Sequence, residues 1–446
     1  MQLDELKQLS QDILKIAKQA GASSAEAELS YGSGQSVSVR LGETENIEYN
    51  RDKGMSVTVY FGQKKGNASS SDVSPQALKD TVEAACNIAK YTASDDFAGL
   101  ADASLMAQHA PDCDLYHPWK ISTEEALSIA KTCEAAALDV DRKRISNSEG
   151  ASVYTSEGVF VYANSHGFVG GYPSTRHSIS ASVIAEHDGG MQRDYWYSSA
   201  RDFADMDSAI NVGRTAGERT LRRLNPQSIP TGQYPVLFEA PLASGIIGSL
   251  VSAVSGGSLY RKSSFLLDSL GTQIAAPLLN IKESPHIPKA AGSSPFDAEG
   301  VTTKPRDFVK NGVLQGYMLG SYSARKLGLQ STGNAGGAHN LLVASTGENF
   351  AQLLQKMGTG LVVTELLGHG MNMVTGDYSR GAAGFWVQNG VILHAVEEIT
   401  IASNMKDMLN NMVAIGNDVI PNSSRQTGSI LIASMTVAAG ETLEED

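Results

Sequence analysis

Apolar residues in the first part of the chain follow a helical period and then a strand period. Between residues 3 and 17 they recur every three or four positions, which predicts an opening amphipathic helix. Around residues 37–41 and 55–61 apolar and polar positions alternate, which predicts two half-buried strands. Arg-Asp-Lys-Gly at residues 51–54 is typical of a turn, so we expect the chain to reverse between these strands.

Capping residues mark two further helices. Ser74-Pro75 predicts a helix start, because serine accepts from free N–H groups and proline suits the first helical position. Ser122 and Glu125 have the spacing of a capping box, which predicts a third helix that runs to about residue 140.

The order of the predicted elements indicates an α+β fold with two domains. Strand patterns alternate with glycine turns over residues 146–199, which favours an antiparallel sheet. A predicted helix over 207–224 is followed by a stretch, 225–233, that contains two prolines and a glycine. We therefore predict an N-terminal α+β domain over 1–225 and a β-rich C-terminal α+β domain over 226–446. Mixed or antiparallel sheets with flanking helices are expected in both.

The second half is rich in glycine and serine, and it mixes strands with short helices. Asn389-Gly390 lies between two apolar runs and suits a type I′ turn, which predicts a hairpin. Further strands are predicted around Val236, Val301, Val313 and Leu361, and helices over 241–255, over 348–357 and from an Asn404 cap to Gly416.

Charge and cysteine content narrow the classes of partner. Lys and Arg total 35 against 48 Asp and Glu, a net charge of −13 that repels nucleic acid and anionic lipid. Three cysteines are too few for a disulfide scaffold and fit a reducing compartment. Residues 240–260 lack charge but hold five serines and four glycines, so we predict a buried helix rather than a membrane span. The expected protein is cytoplasmic, with neither nucleic acid nor membrane as a partner.

The residues alone identify no catalytic motif. None of the nine histidines belongs to a His-Glu-x-x-His motif, and no Gly-x-Ser-x-Gly elbow is present. Asp297 and Glu299 are two carboxylates that can grip a cation or a peptide amine, and an acidic turn explains them equally well.

Several segments of the second half resemble the PmbA (TldE) branch of the TldD/PmbA family, in matching order and spacing over most of residues 235–435. These segments are Ser294-Pro-Phe-Asp-Ala-Glu-Gly-Val301, Tyr322-Ser-Ala-Arg-Lys-Leu-Gly328, Ser331-Thr-Gly-Asn-Ala335, Val374-Thr-Gly-Asp-Tyr-Ser-Arg-Gly-Ala-Ala-Gly-Phe-Trp386 and Ile415-Gly-Asn-Asp418.

The resemblance implies a cytoplasmic system for proteolysis and peptide maturation, linked to a microcin precursor and an antitoxin, and by an older name to DNA gyrase. In that system a TldD-type subunit resembles a zinc metalloprotease with a His-Glu-x-x-x-His helix and a cysteine near its C-terminus. The PmbA-type subunit pairs with it as a heterodimer. A homodimer is expected when the chain is isolated, with an interface on second-half strands around Trp386.

This sequence departs from the zinc-binding pattern. Setting Arg261-Lys262 against the basic pair that follows the TldD motif places Gly248 and Ala253 at the histidine positions and Ser249 at the glutamate position. The segment 424–428 offers no cysteine. None of these side chains supplies imidazole, carboxylate or thiolate to zinc, so we expect no metal ligand and no catalytic residue in this chain. Zinc is expected in the partner subunit.

The sequence therefore leads to one hypothesis and two alternatives. The hypothesis is a subunit of a TldD/PmbA-type peptidase complex, with a groove that contacts an unfolded peptide or the partner subunit and is formed by Gly248, Ser249, Ser252, Ala253, Asp297 and Glu299. A tightly packed core helix explains the small residues around Gly248 equally well. One alternative is a metallopeptidase in its own right, with scattered ligands such as His166, His177, His369 and Asp377. The other is an adaptor that binds a protein target such as DNA gyrase.

Overall fold

The fold is that of a computed structural model, which describes residues 2–421 and 423–439 of the chain. The helices in this part are α1 (Leu3–Gln19), α2 (Pro75–Tyr91), α3 (Thr123–Leu138), α4 (Ala209–Arg222), α5 (Ala240–Ala253), α6 (Gly256–Tyr260), α7 (Ser321–Lys326), α8 (Phe350–Met357) and α9 (Met405–Asn410). The strands are β1 (Ser24–Arg40), β2 (Glu43–Phe61), β3 (Lys64–Ser70), β4 (Asn147–Asn164), β5 (Val169–His187), β6 (Gly190–Ala200), β7 (Gly232–Phe238), β8 (Ile281–Glu283), β9 (Arg306–Lys310), β10 (Val313–Leu314), β11 (Leu341–Val343), β12 (Gly360–Leu367), β13 (Asp377–Gln388), β14 (Val391–Asn404), β15 (Met412–Ile415), β16 (Arg425–Gln426) and β17 (Ile430–Ala439).

The first half forms a six-stranded antiparallel sheet in the order β3-β2-β1-β4-β5-β6. Alternate residues of a strand point to opposite faces, so one face collects apolar side chains such as Leu29 and Val37 of β1. Helices α1 and α2 cover one end of this face, and α3 and α4 cover the other. The opposite face carries no helix from the first half.

The predicted turn at residues 51–54 is wrong. These residues lie inside β2, where Lys53 pairs with Tyr31 of β1, and the chain reverses at Leu41-Gly42 instead. Both turn residues have a positive φ, 51° and 81°, which gives the tight reversal that a two-residue hairpin needs. The continuous hydrogen-bonded register between two long strands outweighs the local turn propensity of Arg-Asp-Lys-Gly.

The second half is built around a mixed six-stranded sheet in the order β14-β13-β12-β7-β17-β15. Strands β7 and β12 run parallel, while the other neighbours are antiparallel. An additional antiparallel pairing of β14 with β17 closes five of these strands into a ring. A smaller sheet, β10-β9-β8-β11-β16, lies beside it, and α5 packs into the main core with both. The predicted α+β class is confirmed.

The second-half predictions are confirmed in part. Asn389 and Gly390 connect β13 to β14 with φ values of 51° and 75°, as the hairpin prediction requires. Val301, however, makes only an isolated bridge to Met106 rather than a strand. Helix α9 ends at Asn410 instead of Gly416, because the residues that follow pair with β17 as strand β15.

The predicted interface around Trp386 implies that its side chain is exposed, and this implication is wrong. The Trp386 side chain is only 9% exposed and packs edge-on against Tyr234, with ring centroids 4.9 Å apart. Exposed apolar side chains lie further along the hairpin instead, at Val391, Ile392 and Leu393.

Ion pairs connect the two halves of the chain. Arg219 of α4 contacts Asp194 of β6 at 3.3 Å and Glu239, the residue before α5, at 3.1 Å. Arg223 pairs with Glu365 of β12. A division into domains at residue 225 remains a prediction. Among residues 2–421 and 423–439, no helix combines the length and apolar character that crossing a membrane requires.

Two glycine-to-alanine substitutions should shift stability in opposite directions. A Cβ at Gly213 would collide with the Cys133 carbonyl oxygen where α3 and α4 touch, so Gly213→Ala should lower the free energy of unfolding by about 1–3 kcal/mol. A Cβ at the exposed Gly245 of α5 meets nothing within 4 Å, so Gly245→Ala should raise it by up to about 1 kcal/mol. Urea unfolding of both variants measures the difference. Equal shifts would contradict the close contact of α3 with α4.

Candidate functional site

Helix α5 has one buried face and one open face. Glu239 precedes it and Pro241 lies in its first turn, where a missing N–H costs nothing. Ile247 and Leu250 are fully buried in the core. On the other side Ser249 donates to the Gly245 carbonyl at 3.1 Å, and Ser252 is exposed. The open face is therefore a stripe of small residues without bulky side chains.

Arg425 lies against part of this open face, at Ser244 and Gly248. It belongs to β16, which pairs in parallel with Leu341 of β11, and its Nη1 atom donates to the Ser244 carbonyl at 3.3 Å. A Cβ built on Gly248 would collide with Nη1 of Arg425. The guanidinium therefore lies directly against a residue that has no side chain, and a Cβ there would displace it. The structure thus brings together α5 and the segment 424–428, the two places that the zinc pattern concerns.

The residues at this place do not fit a zinc ion. Gly248, Ser249 and Ala253 provide none of the imidazole or carboxylate ligands that zinc prefers, and a guanidinium repels a second cation. Within the residues that the structure describes, no group of three or more His, Cys, Asp or Glu side chains is arranged to hold a metal. No reaction step through zinc is assigned to this chain.

The scattered ligands of the metallopeptidase alternative have other partners. His166 bonds through Nε2 to the Ala101 carbonyl at 3.1 Å. His177 is buried, with Nδ1 2.8 Å from the Thr155 hydroxyl and Nε2 2.8 Å from the His117 carbonyl, so both ring nitrogens are used. The remaining two residues, His369 and Asp377, are exposed, and the four do not converge on a metal-holding group in the described chain.

Asp297 and Glu299 anchor a turn rather than line the open face of α5. Asp297 is 2% exposed, and its carboxylate accepts from the backbone N–H groups of Glu299, Val301 and Ala335 at 2.9–3.0 Å. Burial, opposed by these bonds, raises the pKa of Asp297 to about 6. Glu299 accepts from the Ser321 N–H at the start of α7.

The six predicted groove residues therefore do not meet in one place. Glu299 lines a cavity of about 550 Å³ with Glu26, Tyr60 and Tyr322, and no described residue of α5 contributes to its wall. Gly248, Ser249 and Ser252 lie on the open side of α5, whereas the prediction for Ala253 is wrong, because its side chain is fully buried in the core. The sequence analysis did not identify Arg425. A signal was present, because this positive charge lies in residues 424–428, where a TldD-type chain has its zinc-binding cysteine.

Comparison with known proteins agrees with this architecture. The PmbA/TldA metallopeptidase domain 1 matches residues 25–89, the central domain 116–224 and the C-terminal domain 231–439. The chain is 53% identical to metalloprotease PmbA of Escherichia coli O157:H7, over 93% of this chain and 92% of that protein. The chain belongs to the PmbA/TldD family. The family resemblance of the motifs is thereby confirmed.

Other proteins are similar to this chain in sequence or in fold. A PmbA homolog of Haemophilus influenzae is 50% identical over 98% of this chain and 97% of its own. A Bacteroides thetaiotaomicron crystal structure, named for modulation of DNA gyrase, superimposes with a TM-score of 0.93 at 29% identity, over 99% of this chain and 100% of that one. TldE of Thermococcus kodakarensis shares the fold, with a TM-score of 0.82 at 18% identity over 97% and 100%.

The buried Asp297 should make stability depend on pH in a definite direction. Its pKa is raised to about 6 in the folded chain from 3.8, so the folded state binds the proton more tightly than the unfolded state between these values. Lowering the pH from 7 to 4 should therefore stabilise the natural chain relative to Asp297→Asn by about 2 kcal/mol. Urea unfolding of both proteins across this range measures it. A pH-independent difference would contradict the assignment.

Proposed function

We propose that this chain is the non-catalytic subunit of a zinc-dependent peptidase complex, in which a TldD-type partner carries the metal and the catalytic residues. The observation that carries this proposal is the contact of Arg425 with Gly248 on α5. In the family pattern this place holds the zinc ligands, whereas here a positive side chain lies against a glycine. A cation in this place disfavours a second cation at any contact distance.

The open stripe of α5 is assigned a role in holding the substrate. Its small residues, Gly245, Ser249 and Ser252, allow a peptide backbone to approach closely, and the serine hydroxyls can bond to peptide groups. An extended, unfolded peptide, such as a microcin precursor or an antitoxin-like segment, matches such a surface. In the complex the stripe faces the active site of the partner subunit.

The assembly and the compartment complete the proposal. The working form is a heterodimer with the TldD-type subunit, and the isolated chain forms a homodimer. A cytoplasmic location is supported by Cys86, Cys113 and Cys133, which are all free and buried. Such thiols suit a reducing compartment.

Reconstitution with the partner tests the proposal. The purified chain should not hydrolyse an unfolded peptide, whereas a mixture with a TldD-type subunit should hydrolyse it faster than that subunit alone. Equal rates for the mixture and the partner alone would contradict the subunit role. Hydrolysis by this chain alone would instead support the metallopeptidase alternative.

A bulky substitution on the open face of α5 should impair the complex without unfolding the chain. Ser252 is exposed, so Ser252→Arg should be tolerated in the isolated chain but should obstruct the stripe. The hydrolysis rate of the mixture should fall on the order of tenfold, which corresponds to about 1.4 kcal/mol of lost interaction. Ser128→Arg, at an exposed position of α3, is the matched control and should leave the rate unchanged. Equal losses of the hydrolysis rate in both variants would contradict a role of α5 in holding the substrate.

A further inference from the structure

A cavity of about 600 Å³ lies where the first sheet meets the start of α5. Its wall combines residues of β5 and β6, the first turn of α5 and part of the segment that precedes β16; these include Arg176, Trp196, Tyr197, Ser199, Glu239 and Asp418. The cavity therefore opens between the edge of the first sheet at β6 and the start of α5, the helix whose open face we propose to hold the peptide.

Arg176 contributes a positive charge that no acidic side chain neutralises. It lies on β5 and its Nε atom donates to the Ser199 hydroxyl at 2.8 Å. Its two Nη groups donate no hydrogen bond, and no carboxylate pairs with it, among residues 2–421 and 423–439. Partial burial lowers the pKa of Arg176, because removing the guanidinium from water penalises its charge. An arginine buried to this extent is usually paired.

The carboxylates in the cavity wall are largely committed elsewhere. Glu239 accepts from Arg219 and Arg222, both at 3.1 Å. Asp418 accepts from the backbone N–H and the hydroxyl of Ser429 at 2.8 and 2.6 Å. Asp205 pairs with Lys289 at 3.4 Å, and Asp207 is an exposed residue. Arg176 therefore has no dedicated acidic partner, despite the carboxylates around it.

The sheet face around Arg176 is polar and accessible. Tyr195 and Tyr197 of β6 stack with ring centroids 6.4 Å apart and are 53% and 44% exposed. Small hydroxyl side chains fill the same face of β4 and β5, at Ser152, Ser156, Ser174, Ser178, Ser180 and Ser182. Tyrosine and serine are residues that protein surfaces use to contact peptides.

We infer that Arg176 binds a carboxylate of the peptide that the complex handles, which the peptide presents in the cavity beside the first turn of α5. The planar guanidinium offers two parallel N–H groups, a geometry that matches a carboxylate and adds the strength of a charge-assisted hydrogen bond. Either the C-terminal carboxylate or an acidic side chain of the peptide can supply the group. This inference rests on the proposed function for the identity of its ligand.

Binding of defined peptides to the full-length chain tests the inference. The probe is an N-acetylated octapeptide of glycine, alanine and serine, made with a free C-terminal carboxylate, with a C-terminal amide, and as the amide with one internal glutamate. At low salt at least one carboxylate form should bind about tenfold more tightly than the plain amide, as a charge-assisted hydrogen bond allows. A preference for the free acid alone identifies the C-terminus, and a preference for the glutamate form alone identifies a side chain.

Substitution of Arg176 tests whether this residue causes the preference for peptides with a carboxylate. Arg176→Gln should bind all three peptides with similar affinity. Arg176→Lys should keep part of the preference, because it retains the positive charge but lacks the two parallel N–H groups of the guanidinium. Arg193→Gln is the matched control, since Arg193 lies on β6 and already pairs with Glu149 at 3.3 Å. This variant should keep the full preference. Circular dichroism checks that each variant is folded.

Three outcomes would overturn the inference: no binding of any peptide to the natural chain, equal affinity for the carboxylate and amide forms, or a preference that survives in folded Arg176→Gln. Because these measurements use the chain without its partner, they separate the inference from the subunit role. A carboxylate preference without stimulation of a TldD-type partner would retain the site and reject the proposed function.

Discussion

The contact of Arg219 with two carboxylates holds the architecture of the candidate site together. Its guanidinium lies between Asp194 of the first sheet and Glu239 at the start of α5, and it also covers the ring of Trp196 at 4.9 Å. All three charged side chains are largely buried, at 5–15% exposure. Removing one partner of such a group leaves an uncompensated charge, which typically costs about 3–5 kcal/mol. The start of α5 is thereby fixed against β6.

This constraint gives the rest of the site its geometry. Because Glu239 is held by Arg219, the first turn of α5 borders the cavity that contains Arg176. The same helix carries its open stripe and the glycine against which Arg425 lies. The cavity thus borders the first turn of α5, and Arg425 contacts the same helix at Ser244 and Gly248.

Much of the fold follows from local sequence signals. The capping box at Ser122, the Ser74 cap and the Asn389-Gly390 turn each determine a short stretch of backbone, and all three are present as predicted. The turn at residues 51–54 failed because strand pairing over many residues outweighs a local propensity. The burial of Trp386 could not be predicted, since it depends on Tyr234, which is distant in sequence.

The candidate site was harder to predict than the fold, because its geometry depends on contacts between residues that are distant in sequence. The resemblance drew attention to α5 and to residues 424–428, which contact each other in the structure, but nothing in the sequence placed the Arg425 guanidinium against Gly248. The sequence left Asp297 either in a peptide groove or in an acidic turn. It is enclosed, because Ala335, Glu299 and Val301 all direct N–H groups at it. Arg176 gave no signal, since an arginine in a strand is ordinary until its partners are known.

Metal analysis of the separated subunits tests the central claim most directly. The chain would be purified, exposed to zinc, freed of unbound ions and analysed for bound metal, alone and in complex with a TldD-type subunit. We expect no stoichiometric zinc in this chain alone, and zinc in the complex at the amount that the partner binds by itself. Stoichiometric zinc bound tightly by the isolated chain would contradict the account, because Gly248 and Arg425 then could not occupy the place of a metal site.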